Sequence, residues 1–277
     1  MTSTSPALDS GAAAEPQPAP ARRIRLWHFF ALVIVYVVTA QVLTLVGSTS
    51  AGGGDGALDT VENIVIRVVV PVGIASILAI AYVTWTRAWQ SIFVERHRLT
   101  RAALVIPALL FALAIGITNY AGLGEKGFVV TGVLFVAVML VGFGEELVFR
   151  GVGVQAFRQH GCREWTVALW TSVIFGVSHG TNAVVTGEIV DALVQIVLTT
   201  GTGFVFYLVM RGTGALAMAM LFHGLWDFGA LSTQVDPANP SPLVNLAAVA
   251  LAVILVGVLI FRRRLGLTPA VSADAQE

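Results

Sequence analysis

Eight stretches of the chain are dominated by apolar side chains, at roughly 27–46, 63–85, 102–120, 128–157, 165–186, 189–210, 213–233 and 242–261. A helix rises ~1.5 Å per residue, so about 20 apolar residues cross the ~30 Å hydrocarbon layer of a bilayer. The pattern therefore predicts an all-α polytopic membrane protein with about eight transmembrane helices. Between these runs, 47–61 is Gly-rich, and 87–101 is basic and carries Trp89 and His97. The latter reads as an interfacial segment with aromatic and cationic anchors. No internal repeat is evident, which argues against a transporter built from duplicated halves.

Composition excludes a water-soluble domain. Of the residues 56% are hydrophobic and 12% charged, against about 25% charged in soluble domains, and the mean hydropathy is +0.84. The formal net charge is zero, yet the basic residues are segregated. One set of connections holds Arg22, Arg23, Arg25, Arg87, Arg96, Arg98, Arg101, Arg158, Arg163, Arg211 and Arg262 to Arg264. The opposite set holds Lys126 with Asp55, Asp59, Glu125, Glu188 and Asp236. The positive-inside rule then puts both termini in the cytoplasm, which requires an even number of spans. Residues 1–21, rich in Ala, Pro, Ser and Thr, read as a disordered cytoplasmic tail. Residues 22–264 form the transmembrane domain, and 265–277 a short cytoplasmic tail. The first apolar run exceeds the 7 to 15 residues of a signal core and reads as a retained anchor. High Ala, Gly, Val and Arg usage suggests a bacterial cytoplasmic (inner) membrane. The expected partners are the lipid bilayer and a membrane-associated protein or peptide; no nucleic acid is expected, and the oligomeric state is open. Cys162 reads as a small apolar filler.

Ionisable groups inside a bilayer cost from about 2.5 to more than 10 kcal/mol unpaired, so they are functional candidates by default. Here they concentrate on three spans. The fourth contains Glu145-Glu146-Leu147-Val148-Phe149-Arg150, the fifth Phe175 to His179, and the seventh His223 to Asp227. His28, His97 and His160 fall in loops or at interfaces. Four-residue spacing puts Glu146 with Arg150, and His223 with Asp227, on shared helix faces, whereas Glu145 projects about 100° from Glu146. A structural Glu146–Arg150 ion pair follows, leaving Glu145 for imidazole neighbours. At ~1.5 Å per residue, Glu145, His179, His223 and Asp227 lie about 18 to 24 Å above their basic turns, in a layer roughly one helical turn thick.

Two carboxylates and two imidazoles at one depth, in an intramembrane cavity, support two chemistries. Glu145 with His179 could deprotonate a water for attack on a peptide carbonyl, while His223 and Asp227 position and stabilise the oxyanion. Alternatively, Glu145, His179, His223 and Asp227 could bind zinc or another divalent metal that activates the water. Both describe amide hydrolysis within the membrane.

Glu-Glu-x-x-x-Arg, Phe-x-x-x-His and His-x-x-x-Asn/Asp in this order resemble the CAAX prenyl endopeptidase type II family. Its bacterial members are often called CPBP intramembrane metalloproteases or glutamic endopeptidases. The resemblance covers about 110–235. It implies that Glu145 and His179 activate water, and that His223 and Asp227 act as oxyanion stabilisers or ligands. Glu146 and Arg150 would be supporting, and Phe175 would pack beside the site. Position 227 is Asp where the eukaryotic prenyl proteases have Asn, and an ionised Asp cannot donate a hydrogen bond. The implied activity is an intramembrane endopeptidase; the alternative is a non-catalytic partner-binding or immunity protein of the same family. Other motifs are weaker. Gly52-Gly53-Gly54-Asp55 matches the Gly-x-Gly-Asp string of intramembrane aspartyl proteases but sits in a loop. Ser178 lacks the Gly-x-Ser-x-Gly elbow, and no His-Glu-x-x-His zinc motif occurs.

Overall fold

The apolar runs form helices at the expected places. The computed structural model describes residues 22–50, 58–183, 187–236, 241, 243 and 246–267. The tail 1–21, most of the tail 265–277 and the Gly52 to Asp55 string lie outside these described residues. Helix α1 spans Leu26–Ser50, α2 Val61–Thr86, α3 Arg101–Ile117, α4 Tyr120–Gln159, α5 Glu164–His179, α6 Ile189–Thr213, α7 Leu216–Leu231 and α8 Ala247–Ile260. The described residues contain no strand, only an isolated antiparallel bridge between Val94 and Ala215.

Of these helices, α1, α2, α4 and α6 are each long and apolar enough to cross a membrane. Shorter apolar helices α3 and α8, and the 16-residue α5 and α7, accompany them. Exposed positions are apolar, with Ile77 and Val136 each 63% and Val197 70% exposed. An apolar exterior suits lipid rather than water as solvent. The chain is an integral membrane protein. Among the described residues the eight expected crossings correspond to eight helical stretches, of which four are shorter than a full span; α5, for example, ends at His179.

Within α4, Gly127 (φ 84°, ψ 173°) breaks the first turns, a backbone conformation that glycine adopts freely. The continuous span therefore starts at Phe128, as the apolar pattern predicts. Directly after Glu145 and Glu146 the helix widens into a π-helical turn, Leu147–Gly153, every residue of which is buried. Such turns concentrate at functional sites.

Close contacts between small residues hold the bundle together. α5 packs along α6, α7 along α4 and α1 along α2. Where α4 meets α7, a Cβ at Gly142 would stand 2.5 Å from the Met220 carbonyl oxygen, and one at Gly224 would stand 2.6 Å from Met139 Cε. This is backbone approach of the kind that drives helix association where lipid removes the hydrophobic driving force.

The basic connections share one end, as their sequence distribution implies. Arg22 N–H donates to the Thr86 carbonyl (2.8 Å), Leu99 N–H to Arg211 (3.0 Å) and Thr100 N–H to Leu265 (3.2 Å). Segment 87–101 is more than an interfacial anchor. Glu95, with its side chain 2% exposed, pairs with Arg158 at 3.0 Å, and Arg158 also reaches Glu164 at 2.7 Å. Tyr207 donates to Glu164, and Arg211 donates to the His97 carbonyl. The segment is thereby strapped across the ends of α4, α5 and α6. His28, near the same end, is half-buried, its ring packing edge-on among Trp27, Tyr82 and Trp85.

Two predictions follow from this packing. Gly142→Ala should destabilise the folded protein by about 1–3 kcal/mol through overpacking. Gly132→Ala, where a Cβ meets nothing within 4 Å, should be neutral or slightly stabilising; thermal unfolding in detergent compares the two. The second concerns Glu164, just ahead of the apolar run. Burial alone would raise its carboxyl, but hydrogen bonds from Arg158 and Tyr207 and the guanidinium charges hold it at about 2. Its stabilisation is present above the ordinary carboxylate value of 4.5 and is lost as pH falls toward 2. Glu164→Gln should be less stable near neutrality and should show a flatter loss of stability over that acid window.

Candidate active site

Three helices converge on one layer of polar side chains. Glu145 and Glu146 come from α4 at the start of the π-helical turn, His179 from the last residue of α5, and His223 and Asp227 from the middle of α7. Their adjacent chain positions turn the two glutamates different ways. Glu146 is fully buried and faces Arg150, whose Nη1 donates to Glu146 Oε1 at 2.8 Å. The same oxygen meets His223 Nδ1 at 2.9 Å. Glu145 faces the histidines: its Oε2 is 3.6 Å from His223 Nε2 and 4.0 Å from His179 Nε2.

The ring orientations are fixed by neighbours. His179 Nδ1 lies 2.9 Å from the Phe175 carbonyl oxygen. A carbonyl only accepts, so Nδ1 carries the proton, and in the neutral ring Nε2 turns a lone pair toward Glu145. His223 stacks on Phe206, with centroids 4.4 Å apart and planes 16° apart. Its Nδ1 donates to Glu146, while Nε2 faces Asp227 Oδ2 at 3.4 Å and Glu145. Asp227 therefore stands as an acceptor beside His223. Phe175 packs edge-on to His179 at 4.7 Å and to His223 at 5.7 Å, and it carries the Arg150 guanidinium over its face at 4.3 Å. The cation–π contact adds to the ion pair in stabilising a buried arginine.

A small cavity of about 60 Å³ opens beside Glu145 and His179, lined also by Tyr36, Gln41, Phe149, Ser178 and Asn182. That volume holds several waters. Glu145 Oε2 is buried and makes no direct hydrogen bond.

These residues fall within a segment that matches a known family. Residues 127–229 match the family model described as Type II CAAX prenyl endopeptidase Rce1-like. Over this segment the chain is similar to the type II CAAX prenyl endopeptidase family. No curated protein and no solved structure matches it. All seven residues singled out by sequence, Glu145, Glu146, Arg150, Phe175, His179, His223 and Asp227, lie inside the Rce1-like segment, and the fold brings all of them together.

The donor types suit zinc, but among the described residues no group of three or more His, Cys, Asp and Glu side chains is arranged to hold a metal ion. Sequence reasoning also missed contributors. Phe206 and Gly203 on α6 support the site: a Cβ at 203 would stand 2.6 Å from Arg150 Nη2, so the glycine makes room for the guanidinium. Inside an almost wholly apolar span, neither residue has a periodicity that would mark it. Glu146, expected only to pair with Arg150, also orients His223.

Removing Arg150 would leave Glu146 buried without its cation. Arg150→Ala should cost about 3–5 kcal/mol and lower the yield of folded protein in detergent. Arg150→Lys should recover only part of that loss, because an ammonium lacks the planar face that lies over Phe175.

Proposed function

We propose that the chain is an intramembrane endopeptidase that hydrolyses a peptide bond of a membrane-associated protein or peptide. The observation that carries this reading is the position of Glu145 Oε2: buried, without a direct hydrogen bond, and 4.0 Å from His179 Nε2. That gap is too wide for a direct hydrogen bond but suits one bridging water. Such a water donates one proton toward the carboxylate and the other toward the imidazole lone pair, and its oxygen is directed at an incoming carbonyl carbon. Glu145 or His179 takes the proton as the carbon–oxygen bond forms and returns it to the departing amine. His223, whose two ring nitrogens face the carboxylates of Glu146, Glu145 and Asp227, acts as the doubly protonated imidazolium and donates from Nε2 to the oxygen on which charge develops. Glu146 and Asp227 are in this account positioning residues.

Similarity to this family supports protease-type chemistry in general terms. On the same reading the basic end faces the cytoplasm with both termini, and the eight helical stretches all contribute to a bacterial inner-membrane bundle. The site then opens from within the bilayer, so its substrates are anchored in or on the membrane.

Protein reconstituted in liposomes should cleave an internally quenched peptide ending in prenyl-Cys-aliphatic-aliphatic-X, or its unprenylated transmembrane counterpart. Glu145→Gln and His179→Ala should each lower kcat by about 10²–10⁴-fold, with thermal unfolding little changed. Full cleavage by both variants would sink the mechanism. Function in cells that survives both substitutions would instead favour a non-catalytic partner-binding protein of the family.

A further inference from the structure

Around the proposed oxyanion, acceptors outnumber donors. Glu145, Asp227 and the His179 Nε2 lone pair all accept, and His223 is the donor facing them. Aspartate at 227 cannot supply the second donor that an amide there would give. The other polar groups on the cavity wall beside Glu145 are mostly committed. Ser178 Oγ donates to the Phe175 carbonyl at 2.7 Å. Gln41 Nε2 donates to Thr181 Oγ1 at 2.8 Å and to Asn182 Oδ1 at 2.7 Å. Asn182 Nδ2 donates to Gln195 Oε1 at 2.9 Å.

Tyr36 on α1 is different. It lines the same cavity as Glu145 and His179, is 3% exposed, and its hydroxyl makes no hydrogen bond of good geometry. A buried hydroxyl whose proton meets no acceptor is costly, so such a group calls for an explanation. The phenol reaches this position because residue 144, just before Glu145, is glycine: a Cβ there would stand 2.6 Å from Tyr36 Oη and closer still to Ser76 Oγ. Ser76 is also buried, and its hydroxyl is the hydrogen-bonding neighbour of the phenol. It is the hydroxyl placed to donate to the phenol oxygen, which leaves the phenol proton for the cavity.

We propose that Tyr36 is a further catalytic residue, whose O–H donates a hydrogen bond to the oxyanion formed when the Glu145/His179 water attacks, in place of the donor that Asp227 cannot provide. This rests on the endopeptidase reading above. A neutral phenol adds a donor without adding charge, which suits a site already holding three carboxylates.

Tyr36→Phe removes only the hydroxyl. In the liposome assay it should lower kcat by about 10–10³-fold, as loss of one oxyanion donor does, with KM little changed. Adding Asp227→Asn to Tyr36→Phe should recover part of that loss, because the new amide donates. A peptide phosphonate, whose anionic oxygen stands in for the oxyanion, should bind Tyr36→Phe at least tenfold more weakly than the unaltered protein. Protein carrying 3-fluorotyrosine at 36, a stronger donor with the same shape, should bind it more tightly. Tyr36→Phe within twofold of the unaltered protein in both kcat and phosphonate affinity overturns the role of Tyr36 while leaving the protease intact. If the unaltered protein neither cleaves the peptide nor binds the phosphonate, or if Glu145→Gln retains activity, the endopeptidase reading fails and this proposal fails with it.

Discussion

One carboxylate oxygen, Glu146 Oε1, organises the centre of the bundle by accepting from Arg150 Nη1 and His223 Nδ1 together. A fully buried charge in a bilayer protein persists only if it is paired and hydrogen-bonded. Satisfying Glu146 fixes two further things. It holds the Arg150 guanidinium over Phe175, which sets the ring that flanks both histidines. It also fixes the His223 imidazole in plane against Phe206, so that Nε2 points at Asp227 and Glu145. Loss of Glu146 would release α4, α6 and α7 from one another at the level of the site.

Adjacent positions in the chain give the two glutamates opposite fates. Glu146 is spent on structure and is closed to solvent. Glu145, about 100° around the helix, meets nitrogens at 3.6 and 4.0 Å and opens on a cavity of water dimensions. The bulk of the molecule keeps that cavity small and polar while presenting apolar side chains outward. Close helix contacts through Gly142 and Gly224 bring α4 and α7 near enough for their short polar side chains to touch.

Much of this was legible in the sequence because the chemistry is so unevenly distributed. Charges are rare in the apolar runs, so Glu145, Glu146, Arg150, His179, His223 and Asp227 stand out, and simple helical rise puts them at one depth. The i, i+4 pairs Glu146–Arg150 and His223–Asp227 formed as their spacing implied. What escaped was of two kinds. Phe206, Gly203 and Tyr36 are apolar or nearly so in apolar helices, and which face they turn inward depends on helix packing that no local pattern encodes. The strap across the basic end depends on Glu95 finding Arg158, 63 residues away. Length alone supports four of the eight expected crossings, because α5, ending at His179, and α7, ending at Leu231, are among the helices shorter than a full span.

The four-residue spacing of Glu146 and Arg150 also bears on biosynthesis. Both groups belong to one helix, so their pairing needs no tertiary contact and can form as soon as that turn of α4 closes. The span can therefore enter the bilayer as a neutralised unit rather than as two separate ions, which lowers the barrier to insertion. His223 arrives later on another helix and finds an acceptor already oriented. The order of synthesis thus matches the order of electrostatic need, with the local pair made first and the site completed when α7 docks.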